Sequence, residues 1–143
     1  MKTPYEYQQT AIDLGNTRNM LLCDECGLGK TLVAIEICRE RTITSGFGPS
    51  LIVAPKRTVP QWLSELAEQG IEACRISNHD LVTPQSDTIY ITHYEALVAQ
   101  HKHLGRFDWA TVVADEAHRI KNRQALRTRA VKSIRARRRI ALT

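Results

Sequence analysis

Short apolar runs alternate with amphipathic stretches along the chain, and this alternation predicts its secondary structure. Apolar runs bounded by polar, glycine or proline residues are typical of strands. The predicted strands are 20–23 (MLLC), 51–55 (LIVAP), 71–76 (IEACRI), 88–92 (TIYIT), 111–114 (TVVA) and 138–143 (RRIALT). The stretches 31–41, 58–70, 93–101 and 122–134 are predicted to be helices, and a further helix is predicted near the N-terminus.

Two of the predicted helices begin with capping signatures. Thr3 is followed three residues later by Glu6, with Pro4 at the first helical position. Thr58 is followed in the same way by Gln61. We therefore expect the side chains of Thr3 and Thr58 to cap the helices that follow them.

The order of the elements predicts the fold class. Strands that alternate with helices along 143 residues indicate one α/β domain, 1–143, with a mainly parallel sheet flanked by helices. Sheets of this kind bind ligands at the carboxyl ends of their strands. Functional residues are therefore expected directly after the apolar runs.

Composition narrows the classes of protein to which the chain can belong. Hydrophobic residues make up 43% and charged residues 24%, which is ordinary for a globular protein. No apolar run reaches the length of about 18 residues that a membrane span requires, and the N-terminus lacks the apolar stretch of a signal peptide. The four cysteines are too few for a disulfide framework. These features predict a protein without a membrane partner that is cytoplasmic, or nuclear if eukaryotic, and not secreted.

Positive charge is concentrated in one segment. Between Arg119 and Arg139 the sequence has ten of its 20 lysines and arginines and no acidic residue. A basic segment on a mildly acidic body is typical of contact with a polyanion. A solvated helix face explains the same pattern, and both interpretations stay open at this stage.

The turn after the first predicted strand has the composition of a phosphate-binding loop. It reads DECGLGKT over 24–31 and lies between a strand and a helix, although an aspartate replaces the first glycine of the strict pattern GxxxxGK(S/T). Glycines allow backbone N–H groups to close around phosphate oxygens, the lysine suits the β- and γ-phosphates, and the threonine hydroxyl suits Mg²⁺. The residues predicted to bind nucleotide here are Gly27, Leu28, Gly29, Lys30 and Thr31.

Two acidic residues follow the predicted strand 111–114, within the sequence VVADEAHRIKN. Phosphoryl transfer needs a second contact to Mg²⁺ and a group that orients the attacking water. Asp115 is placed for the first role and Glu116 for the second. A phosphate loop followed by paired acids therefore predicts a nucleoside-triphosphate hydrolase with Lys30, Asp115 and Glu116 as its catalytic residues.

Four segments together resemble a known family: DECGLGKT, LIVAPKRTVPQWLSEL, ITHYEAL and DEAHRIKN. In this order they are similar to the first RecA-like lobe of the Swi/Snf-type ATPases, which belong to helicase superfamily two. The resemblance extends from YEYQQ to the last residue. It implies an ATP-binding, P-loop lobe of an enzyme that uses ATP and Mg²⁺ to translocate on double-stranded DNA, with ADP and phosphate as products.

The resemblance also implies roles for individual residues. Gln8 matches the glutamine that reads adenine, and His118 matches the residue that couples the nucleotide site to the DNA site. Trp62 and Glu65 match a W-x-x-E pattern that we interpret as structural. The residues predicted to lie along DNA are Lys56, Arg57, Thr92, His93, Arg119 and Lys121.

The end of the sequence departs from the family pattern. The family's third motif reads roughly LTGTP, and this sequence stops at Leu142 and Thr143. We therefore expect a lobe truncated at this motif, without the second RecA-like lobe whose arginines complete the ATP site. A chain that stops inside a core strand is also expected to leave an open sheet edge, through which copies can self-associate.

Two alternative functions share these features. A DExH-type RNA helicase or a restriction-enzyme motor has the same phosphate loop and acids, although RIKN after DEAH and the W-x-x-E pattern favour the Swi/Snf type. A non-catalytic fragment would instead bind nucleic acid through its basic helix, and its binding would not depend on ATP.

Overall fold

One six-stranded sheet forms the centre of the protein, and all of its strand pairs are parallel. The structure is a computed structural model that describes residues 1–22, 29–117 and 125–143. In these ranges the strands are β1 (Met20–Leu22), β2 (Ser50–Ala54), β3 (Cys74–Arg75), β4 (Ile89–His93), β5 (Thr111–Ala114) and β6 (Arg139–Leu142). Their order across the sheet is β1-β6-β5-β2-β4-β3. This confirms the predicted α/β fold, although the predicted strand 71–76 forms a ladder over two residues only.

Helices connect the strands, as the sequence predicts. They are α1 (Glu6–Gly15), α2 (Lys30–Cys38), α3 (Val59–Glu68), α4 (Tyr94–Leu104) and α5 (Ala125–Ser133). A π-helical turn (Arg39–Thr44) extends α2, and a 3₁₀ turn (Lys56–Thr58) precedes α3. No helix in the described ranges has the length and apolar character needed to cross a membrane.

Neither threonine caps its helix through its side chain, although Thr58 stands at the N-cap of α3 as predicted. Helix α1 begins after Tyr5, whose backbone N–H donates a hydrogen bond of 2.8 Å to Oε1 of Gln8. This glutamine stands in the third helical position, so it supplies the capping contact that was expected from the Thr3 pair. The hydroxyl of Thr58 donates to the carbonyl of Pro55 at 2.9 Å and closes the 3₁₀ turn instead of capping α3.

The sheet is covered on both faces, and side chains of its strands alternate between two cores. In β2, Ile52 belongs to the core beneath α1, α2 and α3, whereas Leu51 and Val53 belong to the core beneath α4 and α5. All five residues of β2 are buried. Because the faces are closed by helices, the ends of the strands are the places where polar side chains meet.

The last strand lies inside the sheet. Ile140 in β6 is paired with Met20 in β1 on one side and with Val113 in β5 on the other. The prediction that the last strand leaves an open edge is therefore wrong, since both of its edges are occupied. Within the described residues the outer strands of the sheet are β1 and β3.

Candidate functional site

The carboxyl ends of β1, β5 and β6 lie side by side, because these parallel strands are neighbours or next neighbours in the sheet. Lys30 follows β1 as the first residue of α2, Asp115 follows β5, and Thr143 follows β6. The Lys30 ammonium donates a hydrogen bond to the backbone oxygen of Thr143. Of the predicted site residues, five lie outside the described ranges: Gly27, Leu28, His118, Arg119 and Lys121.

Gly29 joins the phosphate loop to α2 in a conformation that requires glycine. Its φ angle is +88°, in the left-handed region that residues with a side chain rarely adopt. A Cβ atom at this position would lie 2.1 Å from Nε2 of Gln8. Gln8 and Gln9 are adjacent in the sequence, but their surroundings differ. Gln8 is 4% exposed and its side-chain amide lies against Gly29, whereas Gln9 is exposed and contacts Asp13 on its own helix.

A cavity of about 640 Å³ opens beside this contact. Its walls include Gln8, Gly29 and Thr31, and the tyrosines Tyr5 and Tyr7 stand at its side with their rings stacked at 5.9 Å. Small-molecule pockets usually measure about 300–1,000 Å³ and combine aromatic or apolar walls with a few polar groups. The cavity therefore has the size and lining of a small-molecule site.

Both carboxylate oxygens of Asp115 accept hydrogen bonds. Oδ1 accepts the backbone N–H of Glu116 at 2.9 Å, and Oδ2 accepts the indole N–H of Trp62 at 2.9 Å. The backbone carbonyl of Asp115 accepts the hydroxyl of Tyr94 at 2.5 Å. Sequence reasoning gave Trp62 a structural role only. The signal that could have found this contact is the position of W-x-x-E on a helix that follows β2, the neighbour of β5.

The pKa of Asp115 responds to its burial and to its neighbours among the predicted catalytic residues. Burial is the main cause that raises the pKa of the Asp115 carboxyl above its ordinary value. The hydrogen bonds from Trp62 and from the Glu116 N–H lower that pKa, as does the positive charge of Lys30. The negative charge of Glu116 raises it. One electrostatic cluster at the carboxyl ends of the strands thus contains Lys30, Asp115 and Glu116.

Glu116 combines backbone strain with an ion pair. Its φ angle is +51°, which is uncommon for a residue other than glycine and occurs often at functional sites. Nη2 of Arg57 lies 3.1 Å from Oε1 and 3.3 Å from Oε2 of Glu116. Arg57 comes from the turn after β2, so this pair joins a residue predicted to contact DNA to a predicted catalytic carboxylate.

Two of the predicted DNA contacts are buried instead. Thr92 is 0% exposed, and its hydroxyl donates to the carbonyl of Ile76 at 2.8 Å. His93 is 4% exposed, and burial is the main cause that lowers its pKa. Both residues belong to β4, where every side chain is enclosed by helices or neighbouring strands. Burial of both side chains argues against a direct contact with DNA, and the contact stays a prediction.

Lys56 and Arg57 are exposed, and they border a groove of about 210 Å³ with Glu95 and Arg127. Arg127 forms an ion pair with Glu95, and its guanidinium lies 5.7 Å from the centre of the Tyr94 ring. The basic segment is thus anchored to α4 at this residue. The groove lies beside the carboxyl ends of β2 and β4, next to the Asp115 carbonyl that Tyr94 contacts.

The carboxylate oxygens of Asp115 at the carboxyl ends of the strands suit a magnesium ion that is bound together with a nucleotide. Mg²⁺ is usually held by one or two carboxylates and by substrate phosphates, not by a cage of protein ligands. The described residues contain no group of three or more acidic, histidine or cysteine side chains that could form such a cage. Each oxygen of Asp115 accepts one hydrogen bond and keeps a further lone pair.

The model of the SNF2-related domain family matches residues 7–143. The chain belongs to the SNF2-related family. Among SNF2-related relatives, it is similar to the ISWI chromatin-remodeling complex ATPase CHR11 of Arabidopsis thaliana, with 34% identity over 123 residues. It is 35% identical over 129 residues to Chromodomain-helicase-DNA-binding protein 7 of Gallus gallus. These matches cover 78% and 76% of this chain but only 12% and 4% of the two relatives.

Solved SNF2 structures share the fold of this SNF2-related chain. The SWI2/SNF2 ATPase core of Sulfolobus solfataricus, solved in complex with double-stranded DNA, superimposes with a TM-score of 0.82 at 27% sequence identity. The match covers 99% of this chain and 32% of that one. A second structure, of the Sulfolobus solfataricus SWI2/SNF2 ATPase core domain, matches with a TM-score of 0.73 at 29% identity. The predicted RecA-like fold and the predicted family are both confirmed.

Proposed function

We propose that this chain is the nucleotide-binding lobe of a DNA-dependent ATPase that translocates on double-stranded DNA and hydrolyses ATP to ADP and phosphate within a larger protein. The observation that carries the proposal is the cluster of Lys30, Asp115 and Glu116 at one sheet edge, beside the cavity bounded by Gln8 and Gly29. The similarity to SNF2 ATPases supports the same activity.

In this proposal the nucleoside occupies the cavity of about 640 Å³, where Gln8 contacts the adenine. The phosphates lie at the N-terminus of α2, where free N–H groups and the helix dipole favour negative charge. Lys30 leaves the Thr143 oxygen and contacts the β- and γ-phosphates. Gly27 and Leu28 stay predictions for the same loop.

Catalysis rests on Asp115 and Glu116. Mg²⁺, when bound, neutralises charge on the phosphates, and the Thr31 hydroxyl and the Asp115 carboxylate would hold it. Glu116 orients the attacking water and takes up its proton. Because the Glu116 carboxylate contacts Arg57, it must exchange part of that contact for water. An arginine from a second lobe is worth roughly a thousandfold or more in rate, so we expect the isolated lobe to hydrolyse ATP slowly.

The DNA contact is proposed at Lys56 and Arg57. Both are exposed at the groove beside the strand ends, where the backbone phosphates of DNA would provide anionic partners. Since Arg57 also pairs with Glu116, DNA and the catalytic carboxylate share one guanidinium. This shared residue offers a direct link between DNA binding and hydrolysis. Arg119, Lys121 and the coupling role of His118 stay predictions.

Nucleotide binding by the chain tests the first part of the proposal. Lys30→Ala should abolish Mg²⁺-dependent binding of ATP in calorimetry, whereas Lys102→Ala, an exposed lysine on α4, should leave it unchanged. Equal affinities of both variants and the unsubstituted chain would contradict the proposed phosphate site.

Nucleic-acid preference and hydrolysis test the second part. We expect binding to double-stranded DNA to exceed binding to single-stranded RNA, and the opposite order would favour the RNA-helicase alternative. We also expect slow ATP hydrolysis, measured with Glu116→Gln as the blank. Turnover as fast as that of two-lobed enzymes would contradict the need for a second lobe.

A further inference from the structure

We infer that Trp62 is a positioning residue for Asp115: its indole N–H fixes the orientation of the carboxylate that would hold Mg²⁺. The inference deepens the proposed function and rests on it. It starts from the 2.9 Å hydrogen bond between Trp62 Nε1 and Asp115 Oδ2. Nothing in the W-x-x-E pattern alone required that this tryptophan touch the acid that follows β5.

The indole is well held for such a role. Trp62 is 3% exposed and lies in the core beneath α1, α2 and α3, together with Val59 and Leu66 of its own helix. A tryptophan side chain has two rotatable bonds, and burial in this core restricts both of them. The indole nitrogen can only donate a hydrogen bond, so its partner Asp115 must present an acceptor oxygen.

The two groups that donate hydrogen bonds to the Asp115 carboxylate belong to different parts of the fold. The Glu116 N–H holds Oδ1 from the following residue of the chain, and Trp62 holds Oδ2 from α3. The terminal torsion of an aspartate is intrinsically broad, so one hydrogen bond leaves the carboxylate free to turn. The second donor fixes the plane of the group and leaves a lone pair on each oxygen for further contacts. Loss of partners that orient metal ligands typically weakens metal affinity or activity about 10- to 100-fold.

The chain provides a matched control for the loss of a buried indole N–H. Trp109 is 0% exposed, and its Nε1 donates to the carbonyl of Leu104 at 3.0 Å in the core beneath α4 and α5. Phenylalanine in either position removes one indole donor from a packed core. Only the substitution of Trp62 removes a donor from Asp115. A difference between the two variants therefore reports orientation of the carboxylate and not general loss of packing.

The experiment compares Trp62→Phe with Trp109→Phe in calorimetric titrations with ADP at increasing Mg²⁺ concentration and in excess chelator. For Trp62→Phe we expect the Mg²⁺ concentration at half-saturation to rise about tenfold, the lower end of the range for orienting partners. Affinity for metal-free ADP should not change. For Trp109→Phe both quantities should equal those of the unsubstituted chain.

A second readout does not depend on the folding of Trp62→Phe. The sequence has two tryptophans, so Trp109→Phe leaves Trp62 as the single indole fluorophore. Its emission should change when Mg²⁺ and ADP are added together, because the carboxylate it contacts then gains a cation. Emission that does not respond, or an unchanged Mg²⁺ half-saturation in folded Trp62→Phe, would overturn the inference. Failure of the unsubstituted chain to bind ADP with any dependence on Mg²⁺ would overturn the proposed function as well.

Discussion

Neutralising Glu116 should tighten binding to double-stranded DNA, because it releases Arg57 for contact with phosphate. The side chains in this pair are 58% exposed for Arg57 and 26% exposed for Glu116, so water screens their attraction. Exposed pairs contribute about 0.2–1 kcal/mol. If DNA must displace the carboxylate, Glu116→Gln should raise DNA affinity about 1.4- to 5-fold.

The assay is fluorescence anisotropy of labelled double-stranded DNA at low salt and without nucleotide. Glu116→Gln is compared with Asp115→Asn, which removes the same charge from the neighbouring residue but has no contact with Arg57. Each substitution is measured alone and together with Arg57→Gln. Arg57→Gln alone should weaken binding and reduce the salt slope by about 1, as expected for one lost phosphate contact.

The double-mutant comparison separates the ion pair from general electrostatics. We expect Glu116→Gln to tighten binding only when Arg57 is present. Equal tightening by Asp115→Asn would show that lower negative charge alone explains the effect. Tightening that persists in the Arg57→Gln background would refute the reasoning that Arg57 is shared between DNA and Glu116.

Three further predictions concern stability. Both Gly29→Ala and Gly46→Ala strain a backbone of positive φ, so a difference between them reports the contact with Gln8. Gly29→Ala should destabilise the chain by about 1–3 kcal/mol more than Gly46→Ala in thermal unfolding, because its Cβ would overpack against the buried Gln8; equal losses would contradict the close contact. Thr92→Val should lower the free energy of unfolding in urea by about 1–3 kcal/mol without a change in DNA affinity, because it leaves the buried Ile76 carbonyl without its donor; weaker DNA binding by the folded variant would restore Thr92 as a contact. The pKa of His93 is lowered in the folded chain, so the unfolded chain binds more protons and stability should fall as pH decreases below about 6.5. His93→Gln should remove this part of the pH dependence, and the exposed His79→Gln should retain it; identical pH profiles for the two variants would argue against a buried neutral His93.

The fold could be predicted because its central strands β2, β4 and β5 are strongly apolar and fully buried. Continuous apolar runs such as 51–55 and 111–114 are typical of strands in the interior of a parallel sheet. Helix starts were harder, because Thr3 and Thr58 are good caps by composition while the actual contacts depend on Gln8 and the Pro55 turn. Local propensity cannot decide between caps that differ by one or two residues.

Site residues could be predicted where the chemistry permits few residue types. They could not be predicted where burial of the side chain decides whether a residue can make the contact. Lys30 and Asp115 follow strands that the sequence identifies, so their proximity follows from the parallel sheet. Thr92 was assigned to DNA by its motif, although alternation along β4 cannot reveal that helices enclose both faces. The contact of Trp62 with Asp115 depends on how α3 crosses the strand ends, which periodicity does not encode.

The central position of β6 has a consequence for the order in which the protein assembles. Among the described residues, β1 pairs with β6 alone, and the backbone N–H of Arg139 donates to the side chain of Asn19, a residue 120 positions earlier. During synthesis, almost the whole described chain must therefore be made before β1 can pair with β6. Pairings between segments so distant in sequence form slowly. The phosphate loop follows β1 directly. We expect a nascent chain to acquire its ability to bind nucleotide only after β6 has left the ribosome and paired with β5.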